Sequence, residues 1–76
     1  MNGGFHDAIT GLDERIRLVE AEISQLESER RRLVEAGLDT AAVDAMLVQK
    51  RMSLENLRTA VGQARRMTVA RRGSGS

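Results

Sequence analysis

Few side chains in this sequence could do chemistry, and their spacing is poor for it. His6 is the only histidine. A metal site around it would need carboxylates as its other ligands, and none stands at the spacing that zinc or calcium sites use. Glu20, Glu22, Glu27 and Glu29 suggest a di-metal carboxylate set, but the Glu-x-x-His pair of such bundles is missing. Ser24, Ser28 and Ser53 have no base at a spacing that would activate a hydroxyl. Cysteine is absent, which excludes a thiol nucleophile, a disulfide scaffold and a Cys-based zinc site. With no strand there is no strand-turn-helix phosphate loop. The expectation is a non-enzyme with no catalytic, cofactor-binding or metal-binding residue and no small-molecule substrate.

One charged feature points to a ligand class. Arg65, Arg66, Arg71 and Arg72 make the C-terminal end basic, and clustered arginines can contact nucleic-acid phosphates. Against this, Phe5 is the only aromatic, so nothing is at hand to stack on bases. A pI near 8.5 is also below that of the usual nucleic-acid-binding domain.

These residues must be positioned by a short chain. Seventy-six residues make one small domain at most, and a chain of this size buries only about 60% of its unfolded surface. No apolar run approaches the length of a membrane span, and the N-terminus lacks a basic region followed by an apolar one, the pattern of a secretory signal. The expected location is the cytoplasm. Arginine outnumbers lysine by eleven to one, as in proteins of GC-rich bacterial or phage genomes.

Periodicity organises the chain. Phe5, Ile9, Leu12, Ile16, Val19, Ile23, Leu26 and Leu33 are spaced 4, 3, 4, 3, 4, 3 and then 7. With Ile9 at position a they fill the a and d positions of successive heptads, and Arg30 occupies the skipped slot. Val43, Leu47, Leu54, Leu57, Val61 and Ala64 continue the stripe, with Lys50 in its gap. There is no proline to break either run. The spacing predicts two long helices, over about 5–36 and about 40–70.

Between them lies a turn. Gly37 suits the left-handed residue just past a helix end, with Leu38 folding back on Leu33. Asp39 is placed to accept first-turn amides of the next helix, and Leu38 to staple against Val43. Thr10-x-x-Asp13 offers an alternative start for the first helix. Gly73-Ser74-Gly75-Ser76 reads as a flexible tail outside the fold. Gly62 falls at an outward position in the second helix.

A short turn makes the helices antiparallel, and charge supports that register. Residues 1–40 hold nine acids against five arginines, whereas residues 41–76 hold two acids against seven bases. Antiparallel pairing sets e positions opposite e positions: Glu27 with Arg51, Glu20 with Arg58 and Asp13 with Arg65. Arg72 continues the series towards the first turn. Arg30 and Lys50, both in core slots, either form a polar layer with Glu27, which lies within a helical turn of each, or snorkel to water; their reach and the thinness of the rod favour snorkelling.

The segment Leu33-Val34-Glu35-Ala36-Gly37-Leu38-Asp39-Thr40, followed by Val43 and Met46-Leu47, resembles a loosely defined group of small bacterial helical-hairpin (coiled-coil) proteins. The resemblance covers about 30 residues and implies a fold, with no catalytic residue to transfer.

Leu18, Val34, Met46, Val48, Met52 and Met67 fall outside the a/d stripe. A lone hairpin leaves them wet, and unused apolar residues at several angles call for another helical surface. The expected fold is all-α, an antiparallel two-helix hairpin that completes a four-helix bundle by self-association or by docking on a larger assembly. The expected function is that of a small subunit, adaptor or inhibitor working through protein–protein contacts. The alternative is a nucleic-acid-associated accessory protein that uses the basic end.

Overall fold

The structure, a computed structural model, describes the backbone of residues 3–74 and the side chains of residues 8–67. Phe5, His6, Arg71 and Arg72 therefore lie outside the described side chains.

Two helices account for the architecture: α1 over Gly3–Glu35 and α2 over Ala41–Ser74. α1 is rich in Leu, Glu and Arg and α2 in Ala, Leu and Arg, which lose little freedom in a helix. α1 begins two residues before the spacing predicts and runs without a break past Thr10, so the alternative start at Thr10-x-x-Asp13 is not used. α2 continues through Gly73 and Ser74.

The turn is closed by backbone bonds of Schellman form. Leu38 N–H donates to the Leu33 carbonyl at 2.8 Å, and Gly37 N–H to the Val34 carbonyl at 3.0 Å. This wrap needs a left-handed residue, and Gly37 supplies it with φ +73°. The cap of α2 is shared by two residues. The Asp39 carboxylate accepts the Ala41 N–H at 3.1 Å, while the Thr40 carbonyl accepts the Asp44 N–H at 2.8 Å and closes the first turn. α2 therefore starts at Ala41, one residue beyond the expected position. Leu38 remains 60% exposed, so its side chain is only partly covered by the contacts expected with Leu33 and Val43. The backbone holds this turn.

The seam follows the heptads. Val19, Leu47 and Val61 are buried, and Ile9, Leu12, Ile16, Ile23, Leu26, Leu33, Val43, Leu54, Leu57 and Ala64 are half-buried. Among the described residues no side chain is fully enclosed. The reason is geometric: the molecule measures 62 × 18 × 13 Å, one helix thick. Its radius of gyration is 17.7 Å, against about 11 Å for a globular chain of this length. Each core residue is covered from one direction only.

Candidate interaction surface

The two flanks of the seam differ in charge, and the heptad decides how. On the flank built from e positions, ion pairs run between the helices like rungs. Arg51 Nη2 lies 3.2 Å from Glu27 Oε2, Arg58 Nη2 lies 3.1 Å from Glu20 Oε2, and Arg65 Nη2 lies 3.8 Å from Asp13 Oδ2. These are the three pairs that the antiparallel register predicts. All six side chains are more than a third exposed, so each pair contributes only ~0.2–1 kcal/mol and serves mainly to fix register.

The two cations in core slots do not share Glu27, so the polar layer that the sequence offered as one alternative is not formed. Arg30 Nε donates to Asp44 Oδ1 at 2.7 Å, and Lys50 Nζ donates to Glu22 Oε2 at 3.1 Å. Glu27 is already engaged by Arg51. The two cations leave the seam on opposite flanks, Arg30 towards the e side and Lys50 towards the g side. Asp44 also accepts the Thr40 hydroxyl at 2.9 Å. The Arg30 hydrogen bond first, then that from Thr40, hold its carboxyl below the ordinary value of 3.8.

Leu18, Val34, Met46, Val48, Met52 and Met67 are all between 48% and 63% exposed. They do not form one patch. Val48 borders an open cleft with Glu27, Arg30 and Arg51 on the e flank. Met46 borders one with Gln25, Glu29 and Lys50 on the opposite flank, and Leu18 lines a further stretch there with Ser53 and Asn56. Met52 points outward at an f position.

Composition by face adds a feature that individual apolar residues do not reveal. Between Ala42 and Ala64, α2 carries five charges: Asp44, Lys50, Arg51, Glu55 and Arg58. All fall at d, e or b positions. The c positions hold Ala42, Gln49, Asn56 and Gln63, and the g positions Met46, Ser53, Ala60 and Met67. The f positions Ala45, Met52 and Thr59 complete a charge-free face. The corresponding flank of α1 bears Arg15, Glu22, Glu29 and Arg32. This asymmetry could have been read from the heptad register by sorting charges by position rather than by sign.

Among the basic residues named from sequence, Arg65 pairs with Asp13, and Arg66 is exposed with no ion pair among the described residues. Among those residues no group of His, Asp and Glu is arranged to hold a metal ion, and no helix is long and apolar enough to cross a membrane. No protein-family model, curated protein or solved structure matches the chain.

Proposed function

We propose that the chain is a non-catalytic protein–protein interaction module, a small helical hairpin that works as a subunit, adaptor or inhibitor through helix-on-helix contacts. One observation carries this reading. Among the described residues, seven large apolar side chains, the six above and Leu38, are 48–63% exposed, while only Val19, Leu47 and Val61 are buried below a tenth. A surface this apolar over so thin a core is completed by another helical face, as in bundles. The three exposed methionines, Met46, Met52 and Met67, suit contacts that must adapt to a partner.

Light scattering on the purified chain, together with capture of partners from the host, tests the reading. The expected result is a complex heavier than the 8.4 kDa chain that survives a rise in salt from 0.1 to 1 M, because apolar burial is not screened. A monomer at all concentrations that captures nothing overturns it. A complex that contains nucleic acid and dissociates steeply with salt would favour the accessory-protein alternative through Arg66, Arg71 and Arg72. Arg65 is a weaker contributor to that alternative because Asp13 already engages it.

A further inference from the structure

The flank of the seam without rungs carries charges that complement each other only between two hairpins. We infer that a second copy of this chain docks there, g flank on g flank with the turns at opposite ends, about a two-fold axis beside Glu22. Arg15 of each copy then meets Glu29 of the other. The inference rests on the interaction reading above and names its partner.

The two flanks differ in what one hairpin satisfies. On the e flank, Asp13, Glu20 and Glu27 each hold an arginine of α2, so covering them would desolvate matched charges and match no new one. On the g flank, α1 carries Arg15, Glu22 and Glu29, whereas the g positions of α2 facing them are Ala60, Ser53 and Met46. Arg15 has no ion pair among the described residues. Glu29 has only Arg32 of its own helix, at 3.8 Å. Two open clefts run along this flank and share Glu22 and Lys50; Arg15 and Leu18 border one, Glu29 and Met46 the other.

A two-fold axis sets residue i of one copy against residue j of the other, and j against i. Arg15 and Glu29 stand seven residues to either side of Glu22. An axis across the rod beside Glu22 therefore joins Arg15 to Glu29 of the second copy, twice. The two Glu22 carboxylates approach each other at the axis, and the two Lys50 ammonium groups come with them. Lys50 Nζ lies 3.1 Å from its own Glu22 and keeps further N–H donors for the other. Leu18 falls against Gln25 and Leu26 of the second copy. An axis along the rod, with the turns together, would instead set Arg15 over Ala60, Glu22 over Ser53 and Glu29 over Met46, which matches no charge. Charge thus selects both the flank and the direction.

The extent is sufficient. The two α1 helices overlap from Ile9 to Glu35, about 39 Å. Over the 18 Å width of the rod this flank covers roughly 700 Å² per partner, within the range of specific interfaces. Chains this short ordinarily need added burial such as oligomerisation to stay folded, and among the described residues the single hairpin encloses no side chain fully.

Sedimentation of the full chain should give twice the 8.4 kDa mass. Arg15→Glu or Glu29→Arg alone sets like charges together at both contacts and should weaken the dimer by about tenfold or more. Mixing the two variants joins opposite charges at both contacts and should restore an affinity within about threefold of wild type. The two positions are about 21 Å apart along one helix, so such rescue arises only between copies. Spin labels at Glu35→Cys, in a chain with no other cysteine, should stand about 40 Å apart in the dimer, against under ~20 Å if the turns lay together. That distance is read in an otherwise wild-type chain, so it does not depend on the charge-reversed variants folding. A wild-type chain that stays monomeric and helical at millimolar concentration overturns the second-copy inference; if it still captures a host protein, the interaction reading survives. A dimer indifferent to both reversals, folded variants that do not rescue each other, or labels under about 20 Å apart overturn the docking assigned to this flank.

Discussion

Arg30 occupies a core position of α1, yet its Nε lies 2.7 Å from Asp44 Oδ1, the carboxylate in the first turn of α2. The bond crosses the hairpin next to the turn and draws the guanidinium out of the seam, where its side chain keeps 47% of its surface. Lys50 does the same on the opposite flank with Glu22. Both slots are thus occupied by stems that cover the seam while their charges reach water. Replacing both, Arg30→Leu with Lys50→Leu, should raise the melting temperature and leave the hairpin register unchanged. The three e-position pairs and the Schellman turn still specify that register. A lower melting temperature, measured by circular dichroism, would mean that the two ion pairs contribute more than apolar filling does.

Acid should weaken this junction in a defined window. The Asp44 carboxyl titrates below its ordinary 3.8 in the folded chain, so its contribution is present above that value. It is lost as pH falls from there through the lower folded value. In melts between pH 5 and pH 2, the wild type should lose more stability than Asp44→Asn, which lacks the titrating group. Parallel curves would contradict the assignment.

Two glycines should respond to alanine with opposite signs. At Gly62, mid-helix, an added Cβ meets nothing within 4 Å, so Gly62→Ala should stabilise by up to ~1 kcal/mol through helix propensity. At Gly37 space is equally open, but φ is +73°, and Gly37→Ala should cost about 1–2 kcal/mol for holding a left-handed backbone. Urea denaturation of both variants checks the pair.

The rungs should be exchangeable. Glu20→Arg alone sets two arginines face to face and should cost a few tenths of a kcal/mol to ~1 kcal/mol. Adding Arg58→Glu should recover most of that loss. A double variant no better than the single one would show that the 3.1 Å contact does not couple the two side chains.

The register was legible because two independent patterns met: the heptad fixed which residues face each other, and Gly37 with Asp39 fixed where the chain reverses. The partners of Arg30 and Lys50 were not legible in the same way. Sequence distance favoured Glu27 for both, but one carboxylate cannot serve three cations, and Arg51, directly opposite, has the shortest reach to it. Asp44 becomes available to Arg30 because the shared cap starts α2 at Ala41 and sets Asp44 on the first turn. Leu38 illustrates a further limit. Its place after Gly37 follows from the motif, but how far its side chain is covered depends on a second layer of structure that a one-helix-thick rod does not have. The exposed apolar residues were identifiable one by one, whereas their division between the flanks needed the helices in place.

The rungs and the turn also give the rod a mechanical direction. Because the chain reverses at Gly37, the outer ends of α1 and α2 lie together, and a load that separates them acts on Asp13–Arg65 first, then Glu20–Arg58, then Glu27–Arg51. Each rung carries the full load in its turn, so the hairpin should peel open stepwise at low force and close again from the turn. A load that slides one helix along the other strains all the rungs and the whole seam at once, and the same weak contacts then resist together. How firmly the rod holds against tension therefore depends on where a partner grips it.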